Sequence, residues 1–185
     1  MKLGGGGWGA RASLRMLLLL ASAAAFGQPR EYDVKAAFLL NFTRFIEWPA
    51  SAFADATTPF RICILGRDPF GHTLDEIVEG EAVNRHRLEV RRLTEIPAIQ
   101  TCQIVFFGTA EKELLPSVGG PGRGILTVGD GENFVRAGGM IAFVIDHQRV
   151  RFDINLTVAE GAGLKLSSKL LNVARSVHKI GMGPH

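Results

Sequence analysis

The chain has 185 residues, 46% of them hydrophobic, with 21 Lys and Arg against 18 Asp and Glu. It is too apolar for a disordered polyelectrolyte and long enough for one domain with its own core. The formal charge of +3 comes from Lys2, Arg11 and Arg15; setting those three aside leaves 18 basic residues against 18 acidic ones, which argues against a nucleic-acid binder driven by net charge.

Those three cations precede an apolar run, MLLLLASAAAF at 16–26, that ends in small residues. The run is much shorter than the ~20 residues a membrane span needs, so a secretory signal is expected over 1–27, cut between Ala23 and Gly27. No cysteine precedes Cys63, which excludes a lipid attached to an N-terminal cysteine. The mature chain, 28–185, is expected to form one exported domain with no stable insertion in the membrane.

A helix is expected over 32–48, with Val34, Ala37, Phe38, Phe42 and Phe45 at helical spacing, Asn41 inside the stripe, and Leu39, Leu40 and Ile46 widening it so that the helix is buried on more than one side. Pro49 should end it at Trp48. A strand buried on both faces is expected at 60–65, then a turn at Gly66 and a helix over 70–78. Gly66 lacks the spacing of a phosphate loop and reads as a plain turn. Residues 86–93 alternate and suit a strand near an edge. Their cluster of Arg85, Arg87, Arg91 and Arg92 is interleaved with Glu81, Glu89 and Glu95, as on a solvated face.

A second buried strand is expected at 102–108, a short helix over 111–117, and a strand at 125–128 followed by a helical piece near 129–134. Strands at 140–145 and 150–156 should form a hairpin, and a last helix is expected over 168–180. Its buried stripe would be Leu170, Val173, Ala174 and Val177, with Ser167 or Ser168 as its cap. This order implies an α/β fold: a three-layer α/β/α sandwich with a mixed, mostly parallel central sheet ending in an antiparallel hairpin. The strands at 60–65 and 102–108, the most continuously apolar, should be neighbours.

Cys63 and Cys102 are the two cysteines. In an oxidising compartment an even pair suggests a disulfide, and neighbouring strands would bring them within reach. Two buried thiols, or pairing between chains, stay open. No catalytic, metal or cofactor motif is found: none of the five histidines falls in a ligand spacing, and no G-x-S-x-G elbow occurs. Arg151, Asp153 and Asn155 share one face of their strand by the two-residue period. They suit either a polar ligand or a support for the Gly138–Gly139 turn.

The ordered set VKAAFLLNFTRFIEWP at 34–49, RICILGRDPF at 61–70, CQIVFF at 102–107, ILTVGD at 125–130, FVRAGGMI at 134–141, VRFDINL at 150–156 and GLKLSSKLLNVA at 163–174 resembles the periplasmic YfiR-like family. The resemblance implies a compact α/β/α domain in the periplasm, without catalysis or cofactor. It would bind the periplasmic sensory domain of an inner-membrane diguanylate cyclase and hold that enzyme off, lowering cyclic di-GMP and restraining biofilm. A peptidoglycan-associated outer-membrane lipoprotein would sequester it.

Cys63 and Cys102 look like the family's redox-responsive pair, and Gly138, Gly139, Arg151, Phe152 and Asn155 match its late signature. A second cysteine pair of the characterised repressor has no counterpart here. The complex is expected to be 1:1 or 2:2, so a homodimer stays open. Its contact surface is expected around Leu164, Lys165, Lys169 and Arg175. The alternative function is a periplasmic small-molecule-binding sensory module, with a pocket lined by Arg151 and Asn155.

Overall fold

The computed structural model describes residues 28–108, 113, 115 and 124–179. The leader expected at 1–27 lies outside them, as does the helix expected at 111–117 apart from residues 113 and 115. Helix α1, Gln28–Phe45, is followed by a two-residue strand β1, Ile46–Glu47. Then come β2 (Phe60–Leu65), α2 (Thr73–Val78), β3 (Ala82–Val83), β4 (His86–Leu93), a 3-10 turn over Ile96–Thr101, and β5 (Ile104–Phe107). The second half holds β6 (Leu126–Asp130), α3 (Asn133–Arg136), β7 (Ile141–Asp146), β8 (Arg149–Asn155), α4 (Leu156–Gly161), β9 (Lys165–Leu166), α5 (Ser168–Val173) and β10 (Ser176–His178).

Among the described residues, eight strands make one sheet in the order β10-β8-β7-β6-β5-β2-β4-β3. The run β4-β2-β5-β6-β7 is parallel throughout. β8 returns antiparallel to β7 through a two-residue turn in which His147 and Gln148 both take positive φ, at 46° and 62°, the backbone a tight hairpin requires. The sheet is therefore mostly parallel with an antiparallel hairpin, and β2 and β5 are neighbours, as expected. The chain runs from β2 outward to β4, then crosses back to β5, so β2 and β5 flank the point where strand order reverses.

Each sheet face carries its own core. Ile62, Ile64, Ile104, Phe106, Phe143 and Phe152 meet Ala36, Leu39 and Phe42 of α1, Leu74 and Val78 of α2, and Ala159 of α4. On the other face Cys63, Leu65, Val105 and Phe107 meet Ile99, Leu115, Phe134 and Val135. These are the layers of an α/β/α sandwich. Gly66, with φ of 83°, gives its amide to the Leu93 carbonyl. Arg92 clamps the same loop through Asp68, Asp75 and the Gly71 carbonyl. The turn is thus closed by the protein's own groups, and Arg92 tethers it from an exposed face, where Arg85, Arg87 and Arg91 are exposed as expected.

Two local expectations are corrected. Leu39, Phe42 and, in β1, Ile46 are buried as expected, but the buried side of α1 also takes in Lys35, Ala36 and Thr43, while Val34, Ala37, Asn41 and Phe45 are exposed. The pattern misleads because Lys35 and Thr43 count as polar but are buried with partners: Lys35 with carboxylates, Thr43 by donating to the Leu40 carbonyl. The last helix stops at Val173, where Ala174 turns extended, with ψ of 148°. Residues 176–178 instead add a strand parallel to β8. The Ser167 hydroxyl caps α5, but Val173 and Val177 are 55% and 39% exposed, so of the expected stripe only Leu170 is buried. β-branched and polar residues at 172–177 hold a helix weakly, and Arg175 draws the chain onto the sheet.

Candidate functional site

The parallel strands end on one edge of the sheet, where open α/β sheets place their ligands. There the end of β6 meets the first turns of α1. Lys35 is buried, its ammonium 2.7 Å from Asp130 Oδ1 and 2.5 Å from Glu31 Oε1, one helical turn earlier. Tyr32 donates its hydroxyl to Asp130 Oδ2 at 2.9 Å, and the Lys35 ammonium lies 4.3 Å from the Tyr32 ring centre. Burial, then the Asp130 carboxylate beside it, raises the Tyr32 hydroxyl well above its ordinary value; it stays a donor at any physiological pH. These residues, with Glu132 and Phe143, border a cavity of about 380 Å³. Sequence reasoning missed this cluster. Glu31 and Lys35 stand at i,i+4, a weak signal, but Asp130 lies 95 positions away.

Next to it, Arg175 closes a second polar cluster. It donates to both oxygens of Asp153, at 2.8 and 2.5 Å, and pairs with Glu132 at 2.7 Å. Its amide donates to the Phe152 carbonyl. Burial alone would raise the Asp153 carboxyl, but hydrogen bonds from Arg175 and Ser176 overcome it and hold the group below the ordinary carboxylate value. Arg175 is therefore a structural clamp that seats β10 against β8.

Replacing Arg175 by Met should cost about 3 kcal/mol at pH 7, the usual penalty for a buried charge left without its partner. Asp153 stabilises the wild type above its unfolded value near pH ~3.9 and loses that contribution as pH falls through its lower folded value. In R175M the hydrogen bonds and charge of Arg175 are gone and burial is opposed chiefly by the Ser176 hydrogen bond, which shifts the balance toward the neutral acid. The stability gap between the two proteins should therefore close as pH drops below about 4, readable by urea denaturation at pH 7 and pH 3.5. A gap that is constant with pH would refute the clamp.

The structure places the other expected site residues as follows. Cys63 and Cys102 are joined, with Cα atoms 6.0 Å apart. Arg151, Asp153 and Asn155 share a strand face but not one cluster. Arg151 reaches only the Val173 carbonyl, at 3.4 Å. Asn155 is buried, donates to the Val135 carbonyl and caps α4 by accepting from Val158. Its amide donates to the Met140 carbonyl. Asn155 thus ties down the Gly138–Gly139 segment, its buried side chain turned to the backbone at Val135 and Val158. Leu164 is 1% exposed and belongs to the core, so it cannot meet a partner. Lys165 and Lys169 are exposed. Among the described residues, no cluster of His, Cys, Asp and Glu could hold a metal ion, and no helix is long and apolar enough to cross a membrane.

Comparison with curated proteins finds no match. Among solved structures the chain is similar, at 10% identity and a TM-score of 0.48, to a conserved domain protein from Vibrio cholerae, with 80% of this chain and 60% of that one covered. It is similar at 12% identity and a TM-score of 0.43 to the ABC domain in complex with L-Trp from Streptococcus pneumonia, with 64% and 55% covered. The chain thus spans less than two thirds of either protein, and neither likeness bears on function. Comparison with known families matches residues 32–175 to the YfiR/HmsC-like family. That stretch contains Lys35 with Asp130, Arg175 with Asp153, the disulfide and the late glycine pair, and the chain belongs to the YfiR/HmsC-like family.

Proposed function

We propose that this protein is a periplasmic, non-enzymatic regulator that binds the sensory domain of an inner-membrane diguanylate cyclase and represses it, lowering cyclic di-GMP. Family membership over residues 32–175 carries the reading, since it supports a periplasmic regulator of diguanylate cyclase signalling. The polar clusters fit a binding role: Lys35, Asp130, Arg175, Asp153 and Asn155 all use their polar atoms on one another or on the backbone. In this reading the leader over 1–27 directs export and is removed, and 28–185 works as one domain. The partner meets the surface that carries Lys165 and Lys169. Sequestration by a peptidoglycan-associated outer-membrane lipoprotein would relieve repression.

Deleting the gene should raise cellular cyclic di-GMP and surface attachment when the cyclase is expressed, and wild-type protein should restore both. The double variant K165E/K169E should weaken binding to the purified sensory domain tenfold or more without loss of fold. Unchanged cyclic di-GMP after deletion, under both oxidising and reducing conditions, would sink the regulatory reading. Unchanged affinity of K165E/K169E would remove only the proposed surface.

A further inference from the structure

Two of the five large apolar side chains that stand exposed among the described residues, Val34 (44%) and Ile145 (53%), line one groove from opposite elements. One wall is the first half of α1; the other is the end of the β7–β8 hairpin. Phe38 and Val150 form its half-buried floor, and the cavity measures about 430 Å³. Glu31 and Ile145 border both this cavity and the polar one of about 380 Å³ beside Lys35. The two make one continuous trough, apolar at one end and polar at the other.

Charge is uneven along it. At the polar end the Lys35 side chain is only 4% exposed, whereas Glu31 and Glu132 are 29% and 53% exposed. The cation is sunk beneath its carboxylates, and what faces outward is anionic. Arg175, which also pairs with Glu132, is already engaged by Asp153. Arg149 lies at the far end, exposed and without an ion pair among the described residues. A segment seated here would place a basic residue at the Glu31–Glu132 end and aliphatic residues over Val34 and Ile145. Apolar anchors with a charged rim are the usual make-up of such an interface.

We propose that this trough is the seat of a peptide segment of the partner protein, carrying a lysine or arginine next to aliphatic residues. The inference rests on the protein-binding reading above and assigns it a second surface, distinct from Lys165 and Lys169.

The test uses two blocked synthetic peptides, Lys-Ile-Leu-Gly and Glu-Ile-Leu-Gly, titrated into the isotopically labelled exported protein and followed by backbone amide shifts. The lysine peptide should saturate, with changes confined to the neighbourhood of Glu31, Val34 and Ile145, and bind at least fivefold tighter than the glutamate peptide. Raising salt should narrow that difference. I145E and V34E alter exposed positions and should keep the fold by circular dichroism while losing tenfold in affinity.

No saturable shift, shifts elsewhere, or equal binding of both peptides would overturn the proposal. A dimer in sedimentation that I145E dissociates would put a second copy in the trough and overturn it as well. Cyclase repression is read separately. Repression that survives in I145E while neither peptide binds defeats the trough and leaves the regulator standing; lost peptide binding cannot arise from a wrong cyclase.

Discussion

Reducing the Cys63–Cys102 bond will lower the unfolding free energy by up to about 4 kcal/mol, the loop-entropy figure for a closed loop of this size. The two cysteines are 39 residues apart in sequence, and everything that builds the β4 side of the sheet lies between them: α2, β3, β4 and the 3-10 turn. The crosslink joins the middle of β2 to the residue that ends the turn before β5. It therefore fastens this whole excursion at the place where strand order reverses. Both sulfurs are buried in the second core, so Ala substitution would also empty space, whereas chemical reduction keeps the atoms and isolates the link.

Urea denaturation of the oxidised protein, the reduced protein and C63A/C102A should rank them in that order. The denaturant slope should rise on reduction as the unfolded chain expands. Non-reducing peptide mapping should find the 63–102 pair in monomer. Equal stability of oxidised and reduced protein would show that the link adds nothing, and a linked peptide found only in dimer would show that it joins two chains.

How far the sequence could be read depended on whether an element's neighbours were near in the chain. β2 and β4 match their expected ranges, 60–65 and 86–93, because an unbroken apolar run and a strict alternation each have one economical reading. The hairpin was legible from its short polar link. The face of α1 was legible only in part, at Leu39 and Phe42. Periodicity counts a lysine as outward-facing, and only Asp130, 95 residues on, makes Lys35 an inward residue. The end of α5 failed for the same reason: residues 174–178 have a helix-compatible pattern, and it is Asp153 and Glu132 that make Arg175 leave the helix.

The candidate site suffered most. Leu164, Lys165, Lys169 and Arg175 looked alike as a surface run. Yet one belongs to the core, two are exposed cations and one is a clamp. Such distinctions come from the tertiary neighbourhood, which hydropathy does not contain. The trough beside α1 is invisible for the complementary reason, since helical spacing places Val34 in the interior.

The adjacent glycines 138 and 139 should behave very differently when changed to Ala, and the larger effect falls on Gly139. Phe134, one of the two buried residues of α3, lies between Gly129 near the end of β6 and Gly139 before β7. A Cβ at Gly139 would overlap the Phe134 ring and stand 2.8 Å from the Phe134 carbonyl oxygen. That carbonyl already accepts the Gly139 amide at 2.9 Å. The ring has nowhere to go: it is fully buried and packs on Phe107 at 5.7 Å between centroids. Gly138 instead needs its positive φ of 98°, with open space around it.

Gly138→Ala should therefore cost about 1–2 kcal/mol through backbone strain. Gly139→Ala should cost about 3 kcal/mol or more, at the high end for overpacking a core. The damage would reach the binding face, because α3 follows directly on Glu132, which lines the trough, and Gly129 precedes Asp130, which anchors Lys35. Trimming the ring gives the decisive comparison. Phe134→Leu alone should destabilise by leaving a cavity, yet F134L/G139A should be less damaged than the two single costs summed, since each change makes room for the other. Urea denaturation of the four proteins measures that coupling. Strict additivity, or a G139A protein no less stable than G138A, would show that the ring is not wedged between the two glycines.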